Sequence, residues 1–315
     1  MKLSVVTASR NSRNDLFNRV LQALSRQTLP KAEWESVIID NGSRELISAR
    51  KNLLLPDNAR IIRNEVAENE ASLVDARCRG IRETTGAVIV FVDDDNVLAP
   101  DYLERVVEIG ETWPRLGAWG GNIVLEYEDP SLRLPDELEP LLCARSVNAP
   151  VWSNVQNHHS STPWGAGLCV RREVAVAYLR RLEAEPDRRE LDPVGSQMRF
   201  GGDTDMVYTG LEMGYGKGVF PELSLTHLIP PGRCKPDYLE RALEAHGYSS
   251  GLHIWLDSGR AEQPRSDLRF WLGEALRWPR YSPAERMRRR AWRRGARRAY
   301  HELKDRIPRR ENRAP

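Results

Sequence analysis

Residues 87–92 read AVIVFV, apolar at every position, and they run straight into Asp93, Asp94, Asp95 and Asn96. A strand without a polar face must be covered on both sides, as a central strand of a sheet between helices is. The neighbouring sequence supplies partners for it. Residues 3–7 (LSVVT), 37–39 (VII) and, more weakly, 59–62 predict further strands. Between them, Leu16, Val20, Leu21 and Leu24 recur at helical spacing, and residues 46–54, 71–84 and 100–112 also predict helices. Such alternation predicts an α/β fold, a mostly parallel sheet with right-handed crossovers.

Past Gly117 the pattern is mixed. Strands are predicted at 119–125, 168–170 and 218–220, and helices at 172–183 and 206–213. Pro230-Pro231-Gly232 marks a boundary, and residues 238–246, 268–278 and 284–303 then predict helices. The chain is thus expected to divide into an α/β domain over 1–231 and a C-terminal helical extension over 232–315. At 315 residues, 40% hydrophobic and 29% charged, it can bury a real core, which argues against wholesale disorder. No run of about 18 apolar residues suggests a membrane span, and the N-terminus lacks the long apolar segment of a secretory signal. A cytoplasmic protein is expected, with its four dispersed cysteines reduced.

Charge is unevenly spread. Residues 280–315 hold fourteen Arg and Lys against four Asp and Glu, so the preceding 279 residues carry −8 against a whole-chain +2. Within the tail, Ala284, Met287, Ala291, Gly295, Ala299 and Leu303 form one stripe and arginines fill the other positions. Such a helix over 284–303 either packs its stripe on its own domain or lies on an anionic membrane surface. No nucleic-acid module is visible and the body is acidic, so no nucleic-acid partner is expected.

In an open parallel sheet, ligands bind beyond the carboxyl ends of the strands. Three predicted strand ends carry polar clusters: residues 7–11 (TASRN), 40–43 (DNGS) and 93–96 (DDDN). Adjacent carboxylates raise one another's pKa, a cost that a divalent cation removes. Oxygen-rich sites favour Mg²⁺ or Mn²⁺ shared with substrate phosphates. The simpler alternative is a solvated acidic turn capping the next helix.

The segments SVVTASRNS, VIIDNGS, AVIVFVDDDN, WGAGLCVRR and GGDTDM, in this order, resemble the family 2 glycosyltransferases of the GT-A fold. The resemblance covers Lys2 to about Pro231. It implies a metal-dependent, inverting transfer of a sugar from a nucleotide-diphospho-sugar, expected to be a UDP-sugar, to a hydroxyl of a saccharide or lipid-linked acceptor. Asp40 matches the carboxylate that contacts the base, and Thr7 lines the same pocket. Asp40 could equally be a turn residue. Arg77 matches a basic residue near the base or diphosphate, its alternative being a surface arginine; Cys78 stands where relatives often carry Asn. In Asp93-Asp94-Asp95, which matches the D-x-D element, Asp95 corresponds to the metal ligand and Asp93 or Asp94 lies near the ribose.

Asp203 aligns with the family's catalytic base, with Asp205 close enough to compete and helix capping as the structural alternative. Gly202 stands where the family carries Glu, so the companion carboxylate is missing. Trp164 and Gly165 match the segment lining the sugar site, with core packing as the alternative for the indole. His227, expected after a strand, matches a further metal ligand of some relatives; otherwise it is a hydrogen-bonded structural residue. Two other functions fit an α/β nucleotide site. A sugar-1-phosphate nucleotidyltransferase would normally show a Gly-rich loop after the first strand, and ASRNSRND has no glycine. A catalytically idle binding module would keep the fold without turnover.

Overall fold

The computed structural model describes residues 1–67, 70–195, 197–265 and 268–308. The last residues of the basic tail, 309–315, lie outside them. Among the described residues nine strands form one sheet: β1 (Leu3–Ser9), β2 (Trp34–Asp40), β3 (Ala59–Arg63), β4 (Val88–Phe91), β5 (Asn96–Leu98), β6 (Leu116–Tyr127), β7 (Val151–Ser153), β8 (Leu168–Arg171) and β9 (Gly216–Ile229). The order is β3-β2-β1-β4-β8-β6-β9-β5, with β7 also on β9. Helices α1 (Asn14–Ser25), α2 (Leu73–Arg82), α3 (Tyr102–Thr112), α4 (Arg172–Ala184) and α5 (Gly202–Glu212) cover the two faces.

The first half is the parallel α/β arrangement expected from the alternation: β1 pairs in parallel with β2 and β4, and β2 with β3. In the second half β8 runs antiparallel to β4 and β6, and β6 is parallel to β9, so the sheet as a whole is mixed. Strand β4 is central and buried at every position. Val88 and Val90 face one core with α1 and α3, while Ile89 and Phe91 face the other with α2, α4 and α5. An all-apolar strand is the consequence of two covered faces.

Two expected elements differ. Residues 46–54 form only a 3-10 turn at Ile47–Ala49. The chain there is held by tertiary bonds instead: the Asp40 carboxylate accepts from the Ile47 N–H at 3.1 Å, and Asn18 bonds the backbone of Asn52 and Leu54. The strand expected at 218–220 is part of a 14-residue β9, so His227 lies within the strand, opposite Asn96, not after it.

Beyond β9, α6 (Pro236–Ser258), α7 (Leu268–Arg277) and α8 (Pro283–Leu303) follow. The apolar stripe of the basic helix packs on its own chain: Ala291, Gly295, Ala296, Ala299 and Leu303 are buried. Contact is close enough that a Cβ on Gly295 would overlap the Glu244 carbonyl oxygen, and one on Gly247 the Trp292 carbonyl oxygen. Arg294 and Arg298 reach across to Glu240 and Glu244. Among the described residues no helix is long and apolar enough to cross a membrane.

Helix propensity alone would favour Gly→Ala by about 1 kcal/mol. Gly295→Ala should nevertheless lower stability by about 1–3 kcal/mol through overpacking. Gly273→Ala, with open space around it, should hold or raise it. Urea unfolding of the two variants against wild type checks the opposite signs.

Candidate active site

The polar ends of β1, β2 and β4 lie side by side, as the register Ser9 with Asp40 requires. Ser9 Oγ donates to Asp94 Oδ2 at 2.7 Å, joining the first and third clusters. Asn11 N–H donates to Ser43 Oγ at 3.0 Å, joining the first and second. Three sequence-distant polar segments therefore form one rim.

Asp40 is almost fully buried, at 1% exposure. Its Oδ1 accepts from the Ser43 N–H at 3.0 Å and pairs with Arg63 at 2.9 Å, while Oδ2 holds Ile47. Burial works to raise its pKa, but the bonds from Ile47, Ser43 and Arg63 prevail and hold it below the ordinary aspartate value. The turn role is thus present in full. Thr7 is buried in β1 opposite Ile38, and its Oγ1 has no hydrogen-bond partner among the described residues.

The three acidic residues after β4 have different surroundings. Burial and the charge of Asp95 push Asp94 up. Burial also raises Asp93, with Arg77 opposing. Asp95 is held below its ordinary value: burial would raise it, but the charge of Arg233 overcomes that. Arg233 lies 2.9 Å from Asp95 Oδ2, and His227 Nε2 is 3.4 Å from the same oxygen. His227 Nδ1 lies 2.8 Å from the Leu142 carbonyl oxygen, which puts the ring proton on Nδ1. The Nε2 lone pair then accepts from Arg233 at 2.9 Å. A carboxylate oxygen and a neutral imidazole nitrogen thus converge on one cation, here a guanidinium. The carboxylate of that pair also suits Mn²⁺ or Mg²⁺.

Arg77 is not a surface residue. It is 5% exposed, on the inner side of α2, 5.8 Å above the Phe91 ring. Burial disfavours its charge, but Asp192, Asp93 and Asp203 surround it and keep it protonated. Gly165 lies between Arg77 and Asp203: a Cβ there would stand 3.0 Å from both Arg77 Nη2 and Asp203 Oδ2. Trp164 is half-buried and packed on the core, its ring 4.4 Å from the Arg145 guanidinium.

Asp203 lies in the first turn of α5, where its charge suits the helix dipole and its Oδ1 accepts from the Thr204 N–H at 2.8 Å, but the N-cap is Gly201 and no side chain caps the helix. Asp205 points elsewhere. It is fully buried and paired with Arg188 at 2.7 Å, with Arg181 at 3.8 Å. Asp205, His253 and Asp257 form a group with ligand atoms within 4.8 Å of one another, but the two arginines already supply its positive charge.

The sequence model of the family described as Glycosyl transferase family 2 matches residues 4–165, which contain β1 through Gly165. That is about half of the chain. The chain belongs to glycosyltransferase family 2. Glycosyltransferase AglE of Haloferax volcanii is 32% identical over 114 residues, 35% of this chain and 36% of that protein. An uncharacterized glycosyltransferase of Haemophilus influenzae is 28% identical over 114 residues, 36% of each chain. The matches span about a third of the length of these curated relatives. Among solved structures, S. aureus TarS 1-349 in complex with UDP-GlcNAc superposes with a TM-score of 0.51 at 13% identity, covering 99% of both chains. A longer S. aureus TarS structure gives 0.52 at 15% identity, over 84% of this chain and 41% of that one. At such identity the likeness is one of fold, and it extends past β9 into the C-terminal helices.

Two residues at this site carry no sequence signal. Arg233 sits in the PPGR segment that reads only as a boundary, and Asp192 lies in an acidic and basic stretch without pattern. Arg77 and Asp203, 126 positions apart, meet only through the fold.

Asp40, held below its ordinary pKa, contributes stability that is present above the unfolded value of about 4 and is lost as pH falls through its folded value. Asp40→Asn should therefore cost about 1.5–3 kcal/mol at pH 7. Its deficit should shrink as pH falls below about 4. Denaturant unfolding of both proteins across pH 3–7 measures that convergence.

Proposed function

We propose that this protein is a metal-dependent, inverting glycosyltransferase that moves a sugar from a UDP-sugar to a hydroxyl of an amphipathic, anionic acceptor. The observation that carries the reading is the meeting of Arg77, Gly165 and Asp203. A buried cation, a stretch of backbone without a side chain and a carboxylate border one space, on the rim that also holds Asp93-Asp94-Asp95. Arg77 would face the diphosphate, and the missing Cβ of Gly165 would let the sugar approach. Trp164, beside that glycine, would wall the sugar site.

Thr7 and Asp40 would border the nucleobase. The unpartnered Thr7 hydroxyl supports a ligand there, and the reading of that base as uracil draws support from the UDP-GlcNAc complex of the TarS fold relative. Asp93 and Asp94 would lie by the ribose. Asp95 and His227 would hold Mn²⁺ or Mg²⁺, with Arg233 yielding the shared position. Bound there, the metal would neutralise charge on the departing diphosphate. Asp203 would accept the proton of the acceptor hydroxyl. The oxygen then bonds to the anomeric carbon from the face opposite the diphosphate, the bond from that carbon to the diphosphate oxygen breaks, and the configuration inverts.

The acceptor class rests on a cleft of about 1040 Å³ between α6, α7 and α8. Leu141, Leu243, Ile254 and Trp292 line it, with Arg288 and Arg290 beside them. His246, on its wall, stacks on Phe200. Apolar walls with arginines suit a lipid chain ending in phosphate better than a free sugar. The protein would work at the cytoplasmic face, where the arginines and exposed Trp292 of α8 could meet an anionic bilayer.

Asp203→Ala should lower sugar transfer, or slow hydrolysis of the UDP-sugar without acceptor, by about 10²–10⁴-fold. UDP binding should stay within about twofold, which is ~0.4 kcal/mol. Equal rates in the two proteins would remove Asp203 from the chemistry and favour an idle binding module.

A further inference from the structure

Asp192 stands just after a 3-10 turn, Pro186–Leu191, and is buried, at 4% exposure. Its Oδ1 lies 3.9 Å from Arg77 Nη1, and its Oδ2 has no hydrogen-bond partner among the described residues. Its carboxylate fills the space where a side chain of Gly202 would start; any Cβ on Gly202 would overlap it. The other titratable groups around it are Tyr178 from α4, Asp203 and Asp205 from α5, and Asp93 after β4. Burial pushes Asp192 up to about 6 against the pull of Arg77.

An unsolvated carboxylate with an unused oxygen is costly. A merely structural partner for Arg77 would be expected to close to hydrogen-bond distance and use both oxygens. Asp192 instead stands off from the guanidinium, at the junction of Arg77 with the first turn of α5, which carries Asp203.

We infer that Asp192 is a positioning residue of the active site, its negative charge keeping the buried Arg77 guanidinium charged beside the donor while Gly202 leaves the room for it. The inference rests on the transferase reading given above. Asp192 supplies in space a second carboxylate that the Gly202-Asp203 pair lacks in sequence. Arg77 then faces Gly165 with its charge retained. No bond is made or broken at Asp192 itself.

Four full-length proteins test it: wild type, Asp192→Gly, Gly202→Asp and the double variant, in which the carboxylate is moved from position 192 to 202. Each is assayed for UDP-sugar hydrolysis and for melting temperature. Asp192→Gly should slow turnover at least tenfold. Gly202→Asp, forcing two carboxylates together, should lose both activity and several degrees of melting temperature. The double variant should recover to within about threefold of wild type, ~0.7 kcal/mol, and regain most of the melting temperature. Asp192→Asn adds a second arm: it keeps the shape but not the charge, and should match Asp192→Gly in rate while melting close to wild type.

A double variant no faster than the better single one, or full activity in Asp192→Asn, would overturn the inference. Additive losses of melting temperature would show that the two positions do not share space and would overturn it too. A wild type that hydrolyses no donor, with the melting-temperature recovery intact, would instead sink the transferase reading on its own.

Discussion

Buried charge at the carboxyl edge of the sheet is the constraint on which the rest of this structure depends. Asp93, Asp94, Asp95, Asp192 and Asp203 are gathered within one region of the fold, where burial first and neighbouring negative charge second push Asp93, Asp94 and Asp192 up. They can coexist only with cations among them. The chain provides two, Arg77 from inside α2 and Arg233 from the segment after β9, each held charged against its own burial. Arg77 and Arg233 thereby tie α2, β4, α5 and the end of β9 to a single rim. The proposed metal and nucleoside diphosphate would meet carboxylates and guanidinium groups together at this rim.

Part of this was legible before any coordinates. The all-apolar strand followed by three aspartates identifies β4 and the rim, because only a doubly covered strand carries no polar face. The polar ends of β1 and β2 could be joined to it by the rule that ligands bind where parallel strands end. Asp40 was readable in both of its senses, and the structure displays the turn role in its bonds to Ser43 and Ile47. Less visible was everything set by contacts between distant segments. Residues 46–54 have helical periodicity, yet side chains of Asn18 and Asp40 capture their backbone and leave only a turn. The LSLTHLI sequence alternates as a strand should, yet the apolar run at 218–220 predicts only a short strand, which leaves His227 beyond its end instead of inside β9.

Asp192 and Arg233 were not legible for a different reason. Neither lies in a repeating pattern, and their importance comes from a pairing that no local window contains. The glycine at 202 was the one available hint. Read alone it is a missing carboxylate, whereas in space it is room for another one. The C-terminal helix shows the same limit. Its stripe of small residues permits either a membrane surface or a neighbouring helix, and the backbone contacts at Gly247 and Gly295 commit that stripe to α6.

The account's central claim, that the acidic rim binds a nucleoside diphosphate together with a divalent cation, is most directly tested by calorimetry. UDP, GDP, dTDP and CDP would be titrated into wild type and Asp95→Ala, with and without Mn²⁺. The account predicts that UDP binds most tightly, that binding needs Mn²⁺, and that Asp95→Ala abolishes the metal-dependent part. Failure of every diphosphate to bind wild type with Mn²⁺ present, or metal-dependent binding that survives intact in Asp95→Ala, would contradict it.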